Sequence, residues 1–129
     1  MMRQIAVLLL LAVCLAGCGQ TQAVREEEAV NAIIKLGGTV TRDKNLPGRP
    51  VVGVDLGSTE ITDFDLRHLK EFSCLQVVYL SYTSITDTSL EKLKALKGLR
   101  ALVLVCTRIT DAGMEDLRQA LPRTAVYGP

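Results

Sequence analysis

Histidine occurs once in this sequence, at His68, and that scarcity removes most catalytic chemistry at once. A metal centre needs several ligands at set spacing, and no second histidine or cysteine stands at such spacing from His68. Nucleophile–base pairing fails for the same reason, because no Ser-Asp arrangement adjoins it. His68 falls between Leu66 and Leu69 with Arg67 and Lys70, which reads as the outward side of a helix. A strong charge of either sign is missing too: 15 Lys+Arg against 14 Asp+Glu leave +1. No basic excess exists to attract nucleic acid or anionic lipid. "GSTE" at 57–60 lacks the spaced glycines and the lysine of a phosphate cradle. The longest apolar run, at 5–15, has eleven residues, whereas a bilayer of ~30 Å requires about 20.

That run is instead part of a leader. Arg3 supplies a positive start, the run follows, and "LAGC" closes it at 15–18. The pattern resembles the lipobox of bacterial lipoproteins, where cleavage precedes the cysteine and its sulfur receives a diacylglyceryl group. The resemblance implies a signal peptide at 1–17 and a covalent lipid on Cys18. It also implies an exported protein held at the membrane. The plainer reading is an ordinary signal peptide with a chance Cys18. Gly19, where an Asp would favour inner-membrane retention, leans toward the outer membrane under the enterobacterial sorting rule. Loss of Arg3 leaves 14 basic and 14 acidic residues, a net of zero. Cys14 goes with the leader, so Cys74 and Cys106 are the thiols to consider as a pair. Cys74 precedes one apolar run and Cys106 follows another. On neighbouring parallel strands they stand ~20 Å apart at 3.3 Å per residue, too far for a disulfide.

Residues 18–24 read as the lipidated cysteine and a short polar tether. Residues 25–50 read as a cap: a helix with Glu26, Glu27 and Glu28 at its positive end and Val30, Ile33 and Ile34 on its apolar face. Gly37 and Gly38 stop it, 39–41 offers a short strand, and the Pro- and Gly-bearing 42–50 is a loop. From 51 to 129 a unit recurs every 24 residues: "VDLGSTEITD", "VYLSYTSITD" and "LVLVCTRITD" start at 54, 78 and 102. A fixed period in the range 20–50 marks a stacked architecture. Each copy opens with an apolar triplet (Val51, Val54, Leu56; Leu75, Val78, Leu80; Leu99, Leu102, Leu104) that alternates as a half-buried strand does. Each continues through Thr-Asp, a helix N-cap signal, into Leu66, Leu69, Phe72; Leu90, Leu93, Leu96; or Met114, Leu117, Leu121. Asp63, Asp87 and Asp111 form a carboxylate column, read as helix caps rather than as acid–base or calcium ligands.

The unit L-x-x-L-x-L-x-x-T-x-I-T-D-x-x-L-x-x-L resembles the leucine-rich repeat with a helix on its convex side. Thr59, Thr83 and Thr107 stand where that subclass carries Asn or Cys, which weighs against a close match to the eukaryotic ubiquitin-ligase receptors. With the lipobox, the chain is similar to small bacterial leucine-rich-repeat lipoproteins. The resemblance implies an α/β solenoid of about three repeats behind an N-terminal helical cap. Its concave face carries three columns: Gly53, Val77, Ala101, Ala125; then Asp55, Tyr79, Val103, Tyr127; then Gly57, Ser81, Val105, Pro129. A face this small, apolar and aromatic suits contact with a partner. The expected function is therefore non-catalytic protein or peptide binding in the cell envelope through Val77, Tyr79, Ala101, Val103, Val105 and Tyr127. A self-associating envelope component is the alternative and an enzyme the third reading. No cofactor, metal or nucleic acid is expected beyond the lipid on Cys18.

The leader reading predicts that Cys18→Ser leaves the precursor uncleaved or releases the protein from membranes, measured by fractionation and intact mass. A processed, detergent-requiring Cys18→Ser protein would refute it.

Overall fold

The computed structural model describes residues 19–128, with side chains from Thr21 onward; the leader, Cys18 and Pro129 lie outside them. Helix α1 (Gly19–Lys35) begins six residues earlier than the sequence suggests. Residues 19–24 are thus helical, not an extended tether. A non-local contact holds this first stretch, since Gln22 Nε2 donates to the carbonyl of Glu71 at 2.7 Å. Glu26, Glu27 and Glu28 consequently sit mid-helix, away from the terminal dipole. Glu26 instead accepts from the Val51 N–H at 3.1 Å, and Arg42 Nη2 reaches Glu27 at 2.6 Å. The helix buries Ala29, Val30 and Ile33. Ile34, expected on the same face, is 56 % exposed, being about 100° round the helix from Ile33. Gly37 adopts φ +89° and ends the helix. Its N–H bonds the Ile34 carbonyl and that of Gly38 bonds Ile33, which satisfies two orphan acceptors.

Five strands follow: β1 (Thr39–Arg42), β2 (Val51–Asp55), β3 (Val77–Tyr79), β4 (Ala101–Val103) and β5 (Ala125–Tyr127). They form one mixed sheet in the order β1-β2-β3-β4-β5. β1 runs antiparallel to β2, and the other neighbours are parallel. Parallel pairing demands a crossover between strands, and the three crossovers are helical. The first is a 3-10 helix (Asp65–Glu71); the second is one 3-10 turn leading into α2 (Leu90–Lys94); the third is α3 (Asp111–Ala120). The first departs from the α-helix that Leu66, Leu69 and Phe72 suggest. Three residues per turn place a strict i, i+3 series on one line, so that spacing is met best by a 3-10 helix. In α3 the stripe steps by three and then four, from Met114 to Leu117 to Leu121, as an α-helix requires.

The core lies between the sheet and the helices. All nine strand-triplet positions, 51, 54, 56, 75, 78, 80, 99, 102 and 104, are 5 % exposed or less. Ile61, Ile85 and Ile109 join them, together with Leu66, Leu69, Phe72, Leu93, Met114 and Leu117. Each fully buried side chain of this size contributes ~1.5–3 kcal/mol.

Leu80 is central to that core, with no exposed surface. Leu80→Ala should cost roughly 2–5 kcal/mol and lower Tm by about 8 °C or more. Thermal unfolding followed by circular dichroism measures this; an unchanged Tm would contradict the register.

Candidate binding face

On the side of the sheet away from the helices, pairing sets side chains in rows. Gly53 pairs with Val77, Val77 with Ala101 and Ala101 with Ala125; Asp55, Tyr79, Val103 and Tyr127 make the next row. Adjacent strands lie ~4.8 Å apart, so Tyr79 and Tyr127 stand ~10 Å from each other across Val103. The two tyrosines are 46 % and 55 % exposed, while Val77, Ala101, Val103 and Val105 are half-buried. Asp55, the one charge of the face, turns toward its own loop, its Oδ1 accepting the Gly57 N–H at 2.9 Å. Gly53 is buried because β1 lies beside it: a Cβ there would meet the Thr41 Cβ at 3.3 Å. The third row is continued by Gly57, Ser81 and Val105, with the Ser58 and Tyr82 N–H groups bonding the Ser81 and Val105 carbonyls. Pro129, its fourth member, lies outside the described residues. Two phenols on an aliphatic floor offer contact surface and hydrogen bonds.

The turns beyond the strands hold these rows in place. Ser58, Tyr82 and Cys106 recur at φ +57°, +59° and +57°, one left-handed residue per unit. Thr59, Thr83 and Thr107 each donate to the carbonyl three residues back, at 2.6, 2.6 and 2.9 Å. These threonines therefore tie each turn to itself rather than bridging neighbouring units.

The bridge is made elsewhere, and it corrects the reading of the aspartates. Asp63 does not cap its own helix. Its carboxylate accepts both the N–H and the Oγ1–H of Thr86, each at 2.7 Å. Asp87 does the same for Thr110, at 2.9 and 2.6 Å. The threonines are the caps, since Thr86 and Thr110 Oγ1 accept from the N–H groups of Thr88 and Gly113. Asp63 and Asp87 thus orient the next unit's capping hydroxyl, while Asp111 lies in the first turn of α3, after its cap Thr110. Thr62 has no preceding unit to serve it and bonds Asp65 instead.

The remaining candidates lie apart from the face. His68 is not freely solvated: it lines a cleft of about 290 Å³ with Arg25, Glu28, Ala29 and Glu71, between the 3-10 helix and α1. Partial burial, then the Arg67 charge, holds its pKa below the ordinary histidine value, against smaller opposing effects of Asp65 and Glu71. Cys74 and Cys106 are free, exposed thiols at opposite edges of the sheet. Among the described residues no group of three His, Cys, Asp or Glu side chains is placed to hold a metal ion. Sequence reasoning missed Phe64, 64 % exposed beneath the Arg67 guanidinium at 3.8 Å, though the i, i+3 spacing signals such a pair. No protein-family model matches the chain, and no curated protein matches it.

The Asp87–Thr110 bond carries a pH signature. The Thr110 hydroxyl and N–H hold the Asp87 carboxyl below its ordinary value. A depressed carboxylate contributes stability that is present above the unfolded pKa and lost as pH falls through the folded one. Asp87→Asn should therefore have a lower Tm than wild type near pH 7, and the gap should close toward about pH 2. A gap independent of pH would exclude the ionised bond.

Proposed function

We propose that this protein is a lipid-anchored leucine-rich-repeat solenoid of about three repeats behind a helical cap, and that it binds a protein or peptide non-catalytically in the cell envelope. The observation that carries the reading is the row Tyr79, Val103, Tyr127. It sets two half-exposed aromatic rings either side of an aliphatic seat, on strands in fixed parallel register. One ligand side chain resting on Val103 would touch both rings. Aromatic anchors of this kind dominate interface energies. The anchor part of the reading rests on Cys18, and the repeat part on the 24-residue period with its matched strands, caps and turns. Export to the outer membrane or its periplasmic face follows from the same leader.

Self-association is the second reading, favoured by one observation. β5 pairs only with β4 and leaves its other edge open among the described residues, with Ala125 and Tyr127 exposed. An unpaired edge strand is a template for another chain.

Truncating a central aromatic anchor costs about 2 kcal/mol or more at an interface, whereas an exposed change alters the fold by about 0.5 kcal/mol at most. The Tyr79→Ala, Tyr127→Ala double variant should keep its Tm and lose partner capture from envelope extract at least about tenfold. Arg118→Ala on α3 should lose neither. The sequence has three tyrosines and no tryptophan, so quenching of its own tyrosine emission by a purified partner reports directly on this region. Equal capture by folded wild type and double variant would overturn the reading. A mass that rises with concentration in light scattering would favour self-association.

A further inference from the structure

The balanced charge of this protein is not spread evenly over the fold. Strands β2 to β5 run the same way, so the segments leading into them share one edge of the sheet and the segments leaving them share the other. The antiparallel β1 brings loop 43–50 to the first, N-terminal edge, because Arg42 pairs with Val51. That edge carries Lys44, Arg49, Lys70, Lys97, Arg100 and Arg123, all exposed. None of the six stands in an ion pair among the described residues; nearby, Arg42 and Lys94 meet four carboxylates, Glu26, Glu27, Glu91 and Asp116, two more than they balance. Asp43 and Glu71 add two more carboxylates, so the six cations still exceed the uncompensated acids, and Asp43 Oδ1 is engaged by the Asn45 N–H at 2.8 Å. The opposite edge, in 55–63, 79–87 and 103–111 with the segment 35–38 entering β1, carries Asp55, Glu60, Asp63, Asp87 and Asp111 against Arg108 and Lys35.

Two further observations fall on the basic edge. Leu46 is 42 % exposed in the loop between Lys44 and Arg49, an apolar side chain flanked in sequence by cations. The start of α1 is there too, with Gln22 and Ala23 lining a cleft of about 340 Å³ beside Pro47, Ser73 and Cys74. A second cleft of about 210 Å³ begins at the same Ser73 and runs between Lys70 and Lys97. Gly19 follows Cys18 by one peptide unit, a Cα step of about 3.8 Å. A lipid on Cys18 therefore enters the bilayer next to these cations.

We propose that the N-terminal edge is the surface this protein lays on an anionic lipid bilayer, its six cations against headgroup phosphates and Leu46 at the acyl boundary. The proposal rests on the reading of Cys18 as the lipid-bearing residue. A diacylglyceryl group carries two acyl chains and holds the membrane by itself, so the basic edge acts on orientation: it selects which surface of the protein faces the headgroups. Net charge is zero and offers no such attraction, but the bilayer feels only charges within about a Debye length of it, ~8–10 Å. Parallel strands sort the two signs to opposite edges, which leaves the acidic edge pointing away from the bilayer.

Two native thiols report on this orientation, Cys74 at the basic edge and Cys106 at the acidic one, both exposed. The processed full chain is reconstituted on phosphatidylcholine vesicles or on vesicles with about 30 per cent phosphatidylglycerol. A membrane-impermeant maleimide then labels it, with each cysteine peptide quantified by mass spectrometry. Anionic vesicles should slow Cys74 labelling at least about fivefold relative to neutral ones and leave Cys106 unchanged. Salt at roughly 0.5 M should abolish the difference. So should the Lys70→Glu, Lys97→Glu, Arg100→Glu variant, its fold checked by Tm. Equal Cys74 rates on both vesicles, equal protection of Cys106, or protection that survives salt would each overturn the proposal. The mass of the Cys18 peptide reports the anchor separately. If it carries no lipid, that reading fails, while the Cys74 ratio with added vesicles still decides the edge.

Discussion

Pairing of residue i with residue i + 24 on the next parallel strand is the constraint on which the rest of this protein depends. A constant offset places like beside like. Val54, Val78, Leu102 and Val126 meet on the helix side of the sheet, and Tyr79, Val103 and Tyr127 meet on the other. A slip of one residue would exchange the two faces of a strand and bury the tyrosines. The carboxylates of Asp63 and Asp87 oppose such a slip, because each holds an N–H and a hydroxyl of the next unit, at Thr86 and Thr110. Main-chain register and side-chain chemistry thus enforce the same offset, the kind of agreement between levels that makes a sequence specify one structure.

The two ends of the sheet are finished differently. At one end α1 lays Ala29, Val30 and Ile33 over the first strand unit, and β1 covers the edge of β2 in the antiparallel sense. Arg42, Glu26 and Glu27 join helix to strand at the corner. At the other end β5 has no such cover among the described residues, and Val126 is only half-buried where its counterparts are fully so. The binding reading and the self-association reading both draw on this side, since Tyr127 belongs to β5. The lipid-facing proposal draws on the N-terminal edge, so it makes no demand on the tyrosine row.

Much of this was legible beforehand. The nine strand-triplet positions, the rows of the open face and the turn from helix to sheet at Gly37 and Gly38 all follow from local pattern: alternation, a fixed period and a residue that tolerates positive φ. Such patterns are written within a few residues of one another and need no partner. The left-handed turn at Ser58, Tyr82 and Cys106 escaped notice because no glycine marks it. The 3-10 helix at 65–71 was written in the strict three-residue spacing, but helix types share that cue.

By itself, then, the sequence determined the period, which side chains enter the core and which stand in rows outside it. It also carried the cysteine motif at 15–18 and the overall charge balance. The tertiary structure alone decided what joins distant segments. Gln22 helps extend α1 by bonding Glu71, Asp63 serves Thr86 rather than its own helix, and His68 is drawn into a cleft against α1. It alone decided where the charges go as well. A net charge is a sum without positions, whereas one-way strands give a sheet two unlike edges, and the cations and carboxylates are sorted between them.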